Sequence, residues 1–412
     1  MIILVFILGY LAVIFEHNIR VNKTASSLLM AVLSWMFLFF AASQTHALGE
    51  KLNEISQIIF FLLGAMTLVE VVDVHKGFKV ITDLIQTSSK KKMLWIIGLT
   101  SFFLSAVLDN LTTTIVMLSL LRKMIPEKQD RWLLGGIVVI AANAGGAWTP
   151  IGDVTTTMLW INGNITSLSV MKSLVTPSLI SLFVALLIAG RSLKGVHPYA
   201  AQRAHEEAVE PGARVVFFAG LGALIFVPIF KALTGLPPFM GMLFSVGFLW
   251  LLTDFMHSPY ESRSHLRVPK VLARIDISSV LFFLGILLAI SALDVAGLLA
   301  DLARFLDEKV GNISVIAILI GLISAVIDNV PLVAAGMGMY SMEIYPQDAY
   351  LWKLLAYCAG TGGSVLIIGS AAGVAFMGIE KVNFLWYVRK ISLIALISYL
   401  SGVAVLILQQ LL

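Results

Sequence analysis

Twelve apolar segments fill almost the whole chain, at roughly 2–15, 25–42, 55–73, 94–121, 132–160, 167–190, 214–232, 239–255, 277–296, 313–340, 350–377 and 388–410. A helix rises about 1.5 Å per residue, so about 20 residues cross a hydrocarbon core about 30 Å thick. Most of the segments are close to that length. Composition removes the alternative of a soluble helical core. Hydrophobic residues make up 59% and charged residues only 13% of the sequence, with mean hydropathy +0.95, whereas soluble domains carry about a quarter charged residues. The expected class is an all-α polytopic membrane protein. One cysteine, Cys358, excludes an internal disulfide framework and a cysteine-rich metal site. The net charge of +4 is spread over many loops, which suits membrane orientation and gives no surface for nucleic acid. The first segment is read as a retained helix, because no small-residue cleavage pattern follows it.

Segment 94–121 does not suit a single span. As one helix it would be about 42 Å long and would bury Asp109 and Asn110 near its middle. Lys90, Lys91 and Lys92 precede it, and Arg122 and Lys123 follow it. A single crossing would put one of these basic clusters outside, against the positive-inside tendency. A re-entrant hairpin with LDNLTTT at its tip keeps both on one side. Treating 313–340 in the same way, with VIDNVP at its tip, gives about ten crossings and two hairpins. With both termini outside, this topology places 22 Lys and Arg in the cytoplasm and six outside. The bacterial inner membrane is the expected location.

The hairpins are copies. SAVLDN at 105–110 is matched by SAVIDN at 324–329, FFLLGAMTLVEVVD at 60–73 by LFFLGILLAISALD at 281–294, and NAGGAWTPIGD at 143–153 by GTGGSVLIIGS at 360–370. The order is preserved at a nearly constant offset. Five crossings plus a hairpin is an odd set, so the second copy is upside down, an inverted-topology repeat of the kind built into secondary transporters. The expected division is 1–190 for the first repeat, with hairpin 94–121 and broken helix 132–160. A cytoplasmic linker follows at 191–213. The second repeat is 214–412, with hairpin 313–340 and broken helix 350–377.

Non-helical backbone at membrane depth survives where it is buried in protein or lines a wet cavity. The hairpin tips offer the carboxylates Asp109 and Asp328, the amides Asn110 and Asn329, and the hydroxyls of Thr112, Thr113 and Thr114. Hard oxygen donors suit an alkali cation, and no Cys or His cluster is present for a transition metal. The alternative is that Asp merely caps the second arm. In 132–160, Gly145, Gly146, Pro150 and Gly152 are expected to unwind the helix, gathering Asn143, Asp153, Thr155 and Thr156 at the break. In 350–377, Thr361 and Ser364 stand among Gly360, Gly362 and Gly363. The alternative there is close helix packing by small residues. Asn143 and Asp153 are matched by Gly360 and Ser370, so the first repeat is expected to hold the stronger cation site. Glu70 and Asp73 are read as interfacial caps or ion pairs. The seven histidines fall in or near loops, and solvated side chains are the expectation.

On the two SAVxDN tips, the NAGGAWTPIGDVTTT break and the GTGGS break, the chain resembles the NhaD family of sodium/proton antiporters, within the ion transporter superfamily. The resemblance covers essentially the whole chain. It implies exchange of Na+, and of Li+, for H+ in pH homeostasis, with no cofactor. It also implies a homodimer in the bilayer, with a mobile hairpin-bearing domain working against a dimeric scaffold. The implied cation and proton positions are Asp109, Asn110, Asn143, Asp153, Thr155, Thr156, Asp328, Asn329, Thr361 and Ser364, with Na+ at Asp109, Asn110, Asn143 and Asp153. A poorly solvated carboxylate needs either a proton or a cation beside it, and that competition is antiport. The competing readings are an arsenite-type exporter, a sodium-coupled organic anion symporter and an intramembrane aspartyl protease. No Lys or Arg lies within ten residues of Asp109, against the anion reading, and no GxGD sequence supports the protease, so the chain is not expected to be an enzyme.

Overall fold

The computed structural model describes the chain except Phe15, Ser43, Gln44, 83–86, Ser88, Ser192, Lys194, 196–209 and Leu412. Most of the expected linker therefore lies outside the described residues. The described secondary structure is helical throughout. The first half contains α1 (Ile2–Ile14), α2 (Lys23–Ala42), α3 (Thr45–Val74), α4 (Lys90–Ser105), α5 (Asn110–Met124), α6 (Lys128–Ala147), α7 (Val154–Ile161) and α8 (Ser167–Ala189). The second contains α9 (Ala213–Thr234), α10 (Pro238–His257), α11 (Ile277–Val295), α12 (Leu298–Val310), α13 (Ile313–Ile323), α14 (Asn329–Met339), α15 (Tyr350–Gly362), α16 (Ala371–Glu380) and α17 (Leu393–Leu411). Among the described residues, seven helices are long and apolar enough to cross a membrane: α2, α3, α8, α9, α10, α11 and the run Phe384–Leu411. The protein is a multi-pass integral membrane protein.

Each pair of arms turns back at an aspartate. α4 and α5 are separated by a four-residue break ending in Asp109, and the outer end of α4 is tied to the start of α6 by the ion pair between Lys90 Nζ and Asp130 Oδ2 at 2.5 Å. α13 and α14 turn at Asp328, and just beyond α14 Tyr340 Oη donates to Asp307 Oδ1 of α12 at 3.2 Å. Neither pair of arms could cross as one straight rod.

Packing repeats between the halves. α4 lies on α6 as α13 lies on α15, and α1 on α2 as α9 on α10. Across the halves, α2 packs on α11 and α3 on α10, α5 packs on α16 and α14 on α7, and α8 packs on α17. The repeat-related helices α3 and α11 run antiparallel. Lys51, near the start of α3, pairs with Asp294 at the end of α11 (3.1 Å), while Arg274, just before α11, pairs with Glu70 near the end of α3 (3.0 Å). The ion-pair reading of Glu70 holds.

Four expectations change. α3 begins about ten residues earlier than 55, because HALGEKLNE continues the helix into a polar turn. The stretch between 296 and 313, outside the apolar segments, is the amphipathic α12, which buries Leu299 and Ala303 and packs on α14. Gly145 and Gly146 do not unwind α6, which stays helical to Ala147, and the break is Trp148–Asp153 around Pro150. The glycine at 145 serves close approach instead. A methyl group there would overlap the carbonyl oxygen of Phe102 in α4, and one at the repeat-related Gly362 would overlap that of Gly321 in α13. Finally, His75 and His257 are fully buried. Their Nε2 atoms lie 2.9 Å apart and His75 Nδ1 faces the Val71 carbonyl at 2.7 Å, so two histidines read as solvated form an internal pair.

Candidate functional site

The breaks create the site. Helix ends expose unpaired N–H and C=O groups, and at each interruption a short polar side chain turns back to satisfy them. Asp109 caps α5, accepting from the Thr112 backbone N–H through Oδ1 and from the Thr112 hydroxyl through Oδ2, both at 2.7 Å. Asp153 caps α7 in the same way, its Oδ1 accepting from the Thr155 N–H (2.8 Å) and the Thr155 hydroxyl (2.7 Å). Asp328 accepts from the Val330 N–H at 3.3 Å. Ser370 accepts from the Gly373 N–H at 3.2 Å. The capping alternative is therefore real for all three aspartates, and it leaves the question of what else each does.

Asp153 does more. It is 2% exposed, and its second oxygen, Oδ2, accepts from Asn110 Nδ2 at 2.7 Å. The same Asn110 nitrogen donates to Asn143 Oδ1 at 3.0 Å. Asn143, fully buried, donates through Nδ2 to Ser364 Oγ and Ser370 Oγ, both at 2.9 Å. One network thus runs from the first hairpin tip, through both lips of the first break, to both lips of the second. A site in each repeat is the expectation from sequence; in the structure these residues from both repeats join in one hydrogen-bonded network. Asn143 is its junction because α6 and α15 meet at the pseudo-symmetric centre, where each is interrupted.

The remaining expected positions fall in different places. Asp109, Asn110 and Asp328 line a cavity of about 130 Å3 beside the network. The Thr156 hydroxyl reaches the Ala147 carbonyl at 3.4 Å, tying α7 back to the end of α6. The Thr361 hydroxyl donates to the Tyr357 carbonyl one turn back, at 2.6 Å. Asn329 is buried at the first position of α14, and among the described residues no hydrogen bond joins it to the network. Ser370 was singled out by alignment with Asp153 and proves to touch Asn143 directly. Lys23 was missed: it comes from the start of α2 to line the cavity of Asp109 and Asp328. Only the fold brings it there.

The network offers an ionisable carboxylate, two amides and two hydroxyls, enclosed in apolar helices, which suits a small cation or a proton better than a larger solute. Comparison with known proteins agrees in class. The profile of the citrate transporter family (CitMHS) matches residues 10–360. Sodium/proton antiporter 1 of Arabidopsis thaliana is 54% identical over 407 residues, covering 97% of this chain and 71% of that protein. Sodium/proton antiporter 2 of the same plant is 52% identical, covering 97% of both. The Na+/H+ antiporter NhaD of Vibrio cholerae is 29% identical, covering 94% of this chain and 87% of that protein. The chain therefore belongs to the citrate transporter family and is a relative of the sodium/proton antiporters of the NhaD type.

Proposed function

We propose that the protein is a secondary transporter that exchanges Na+, and also Li+, for H+ across the membrane, with Asp153 and Asp109 as the groups that hold cation or proton in turn. The observation that carries this reading is the buried Asp153–Asn110–Asn143 chain ending on Ser364 and Ser370. A carboxylate in such surroundings is costly to leave charged and alone. A proton neutralises it, and a sodium ion held by its oxygens and by neighbouring amide and hydroxyl oxygens does the same. One site cannot satisfy both, so arrival of one ligand releases the other. Exchange follows if the hairpins and broken helices move between the two sides only when the site is neutralised.

In this reading residues 1–190 and 214–412 act as inverted repeats joined by 191–213. α4–α7 and α13–α16 form the moving body, and α3 with α11 forms the fixed wall, working as a homodimer in a bacterial inner membrane with both termini outside. The relatives named as antiporters support the ion pair, and a transporter family leaves no place for the protease alternative. Citrate, which gives the matching family its name, is a poorer fit to a cavity whose two carboxylates outnumber, among the described residues, its one basic side chain, Lys23.

The test is proton movement in proteoliposomes carrying a preset pH gradient, with Na+, Li+, K+ and citrate added in turn. Na+ and Li+ should dissipate the gradient, and citrate should not. Asp109→Asn keeps the cap, since Asn and Asp cap about equally well, and should abolish sodium-driven proton movement at every pH. Asp153→Asn should do the same. Wild-type exchange in either variant would remove that aspartate from the mechanism.

A further inference from the structure

Two cavities lie beside the hairpin tips, and the start of α2 borders both. The one of about 130 Å3 has Asp109, Asn110, Thr112 and Asp328 in its wall, and a second, of about 110 Å3, has Tyr10, Glu16, Asp328 and Ser370. Lys23 lines both, and among the described residues it is the one basic side chain lining either. Its position is fixed at two points. Its backbone N–H donates to Glu16 Oε2 at 3.1 Å, and its ammonium nitrogen lies 4.5 Å from the centroid of the Phe282 ring, which also borders both cavities. An ammonium over an aromatic face is attracted by the ring quadrupole, so the positive charge is held beside the Phe282 ring at the junction.

We propose that Lys23 is a specificity-determining residue of the exchange: a tethered ammonium that shares the cavity of Asp109 and Asp328 and tunes its net charge for a monovalent cation. Two carboxylates without a counter-charge would leave this largely apolar cavity doubly negative, a charge that favours a divalent cation. One fixed ammonium halves that charge. Sodium then neutralises what remains, whereas calcium would leave an excess positive charge in a poorly solvated space. The same ammonium weakens the hold on sodium, since like charges compete for the same carboxylates, and a weaker hold is what a carrier needs to release its cargo. The role of Lys23 in transport rests on the exchange reading above, but its effect on cation preference is measurable by binding alone.

The experiment uses the full chain purified in detergent, with 22Na+ binding measured alone and against Ca2+, and the same protein in proteoliposomes for exchange. Lys23→Gln should tighten apparent Na+ affinity about tenfold, the effect of removing one nearby like charge. It should also make Na+ binding and exchange sensitive to millimolar Ca2+ that leaves the wild type unaffected. Lys23→Arg, which keeps the charge, should behave as wild type in both respects. A purely structural lysine would change the yield of folded protein and leave ion preference alone. The assignment is overturned if the Gln variant binds Na+ with wild-type affinity and ignores Ca2+. If the wild type binds Na+ without exchanging it for protons, while the Gln variant gains Ca2+ competition, the exchange reading falls and the assignment of Lys23 stands.

Discussion

At the residue scale, the chain uses its few intramembrane polar groups twice. Asp109 and Asp153 each spend two or more acceptor positions on a helix cap, and Asp153 keeps one oxygen for Asn110. Asp-Asn in an apolar run is legible as a helix break inside the protein because lipid tolerates such groups only in protein-lined or wet interiors. The partners were not legible, because Asn143 and Ser364 are distant in sequence and meet only when the two breaks face each other. The same limit hid the histidine pair. His75 Nδ1 donates to Val71, which leaves its Nε2 as acceptor and makes His257 Nε2 the donor. A second proton on His75 would set two N–H groups head to head. Burial pushes His75, one residue beyond the end of α3, down from 6.5 to about 4. A depressed histidine contributes stability that is fully present above the unfolded value and lost as pH falls from about 6.5 towards about 4. Thermal unfolding of the wild type should therefore drop over that window. His75→Gln should flatten the drop, and an unchanged acid limb in that variant would clear His75 of the role. A different residue carries structure alone: Glu380, its side chain 1% exposed, accepts from Arg131 Nε at 2.8 Å and pairs with Arg122 Nε at 3.1 Å. Glu380→Gln should cost about 3 kcal/mol, as expected for breaking a buried pair, read as a lowered unfolding temperature.

At the element scale, interruptions carry more information than helices. The apolar runs gave the spans, and the positions where those runs are broken by Asp-Asn or by Pro150 gave the hairpin tips and one helix break. What failed was the meaning of glycine. A dense glycine cluster reads as a helix breaker from propensity alone, yet Gly145 and Gly362 lie within helices and admit a neighbouring backbone. The two uses differ only in what stands opposite, which a single sequence does not record. α12 failed for another reason. LLADLARFLDEKV has apolar residues at 298, 299, 302, 303, 306 and 310, a helical stripe, but a search tuned to uninterrupted apolar length passes over it. The glycine argument predicts an asymmetry. Gly145→Ala must push against the Phe102 backbone and should destabilise by about 1–3 kcal/mol, the usual cost of overpacking, with exchange reduced in step. Gly247→Ala, in α10, would meet nothing within 4 Å and should be neutral or slightly stabilising. Equal melting temperatures for the two variants would mean that the contact between α4 and α6 is not as close as described.

At the scale of the whole molecule, the polar contacts gather into two rims. On one lie Lys90–Asp130, Arg131–Glu380, Arg274–Glu70 and the histidine pair. On the other lie Lys51–Asp294, Tyr340–Asp307, and the Thr166 N–H and hydroxyl on Asp348 at 2.7 and 2.8 Å. The base of the first hairpin belongs to the first rim and that of the second hairpin to the other. If the halves are inverted repeats, as proposed above, this follows, because each hairpin then enters from the side opposite its copy. Charge counting on the sequence predicts the same arrangement, with 22 Lys and Arg on one side and six on the other. The consequence can be measured with single cysteines, because the native Cys358 is buried. Lys91→Cys and Glu127→Cys, exposed positions flanking the first hairpin, should both react with a membrane-impermeant maleimide from one face of the membrane. Lys309→Cys and Ser341→Cys, exposed and flanking the second, should react only from the opposite face, in vesicles of the other orientation. If Lys91 and Glu127 label from opposite faces, the segment between them crosses the membrane and is no hairpin. If all four label from the same face, the hairpins are real but the halves are not inverted, and a shared site reached alternately from the two sides loses its structural basis.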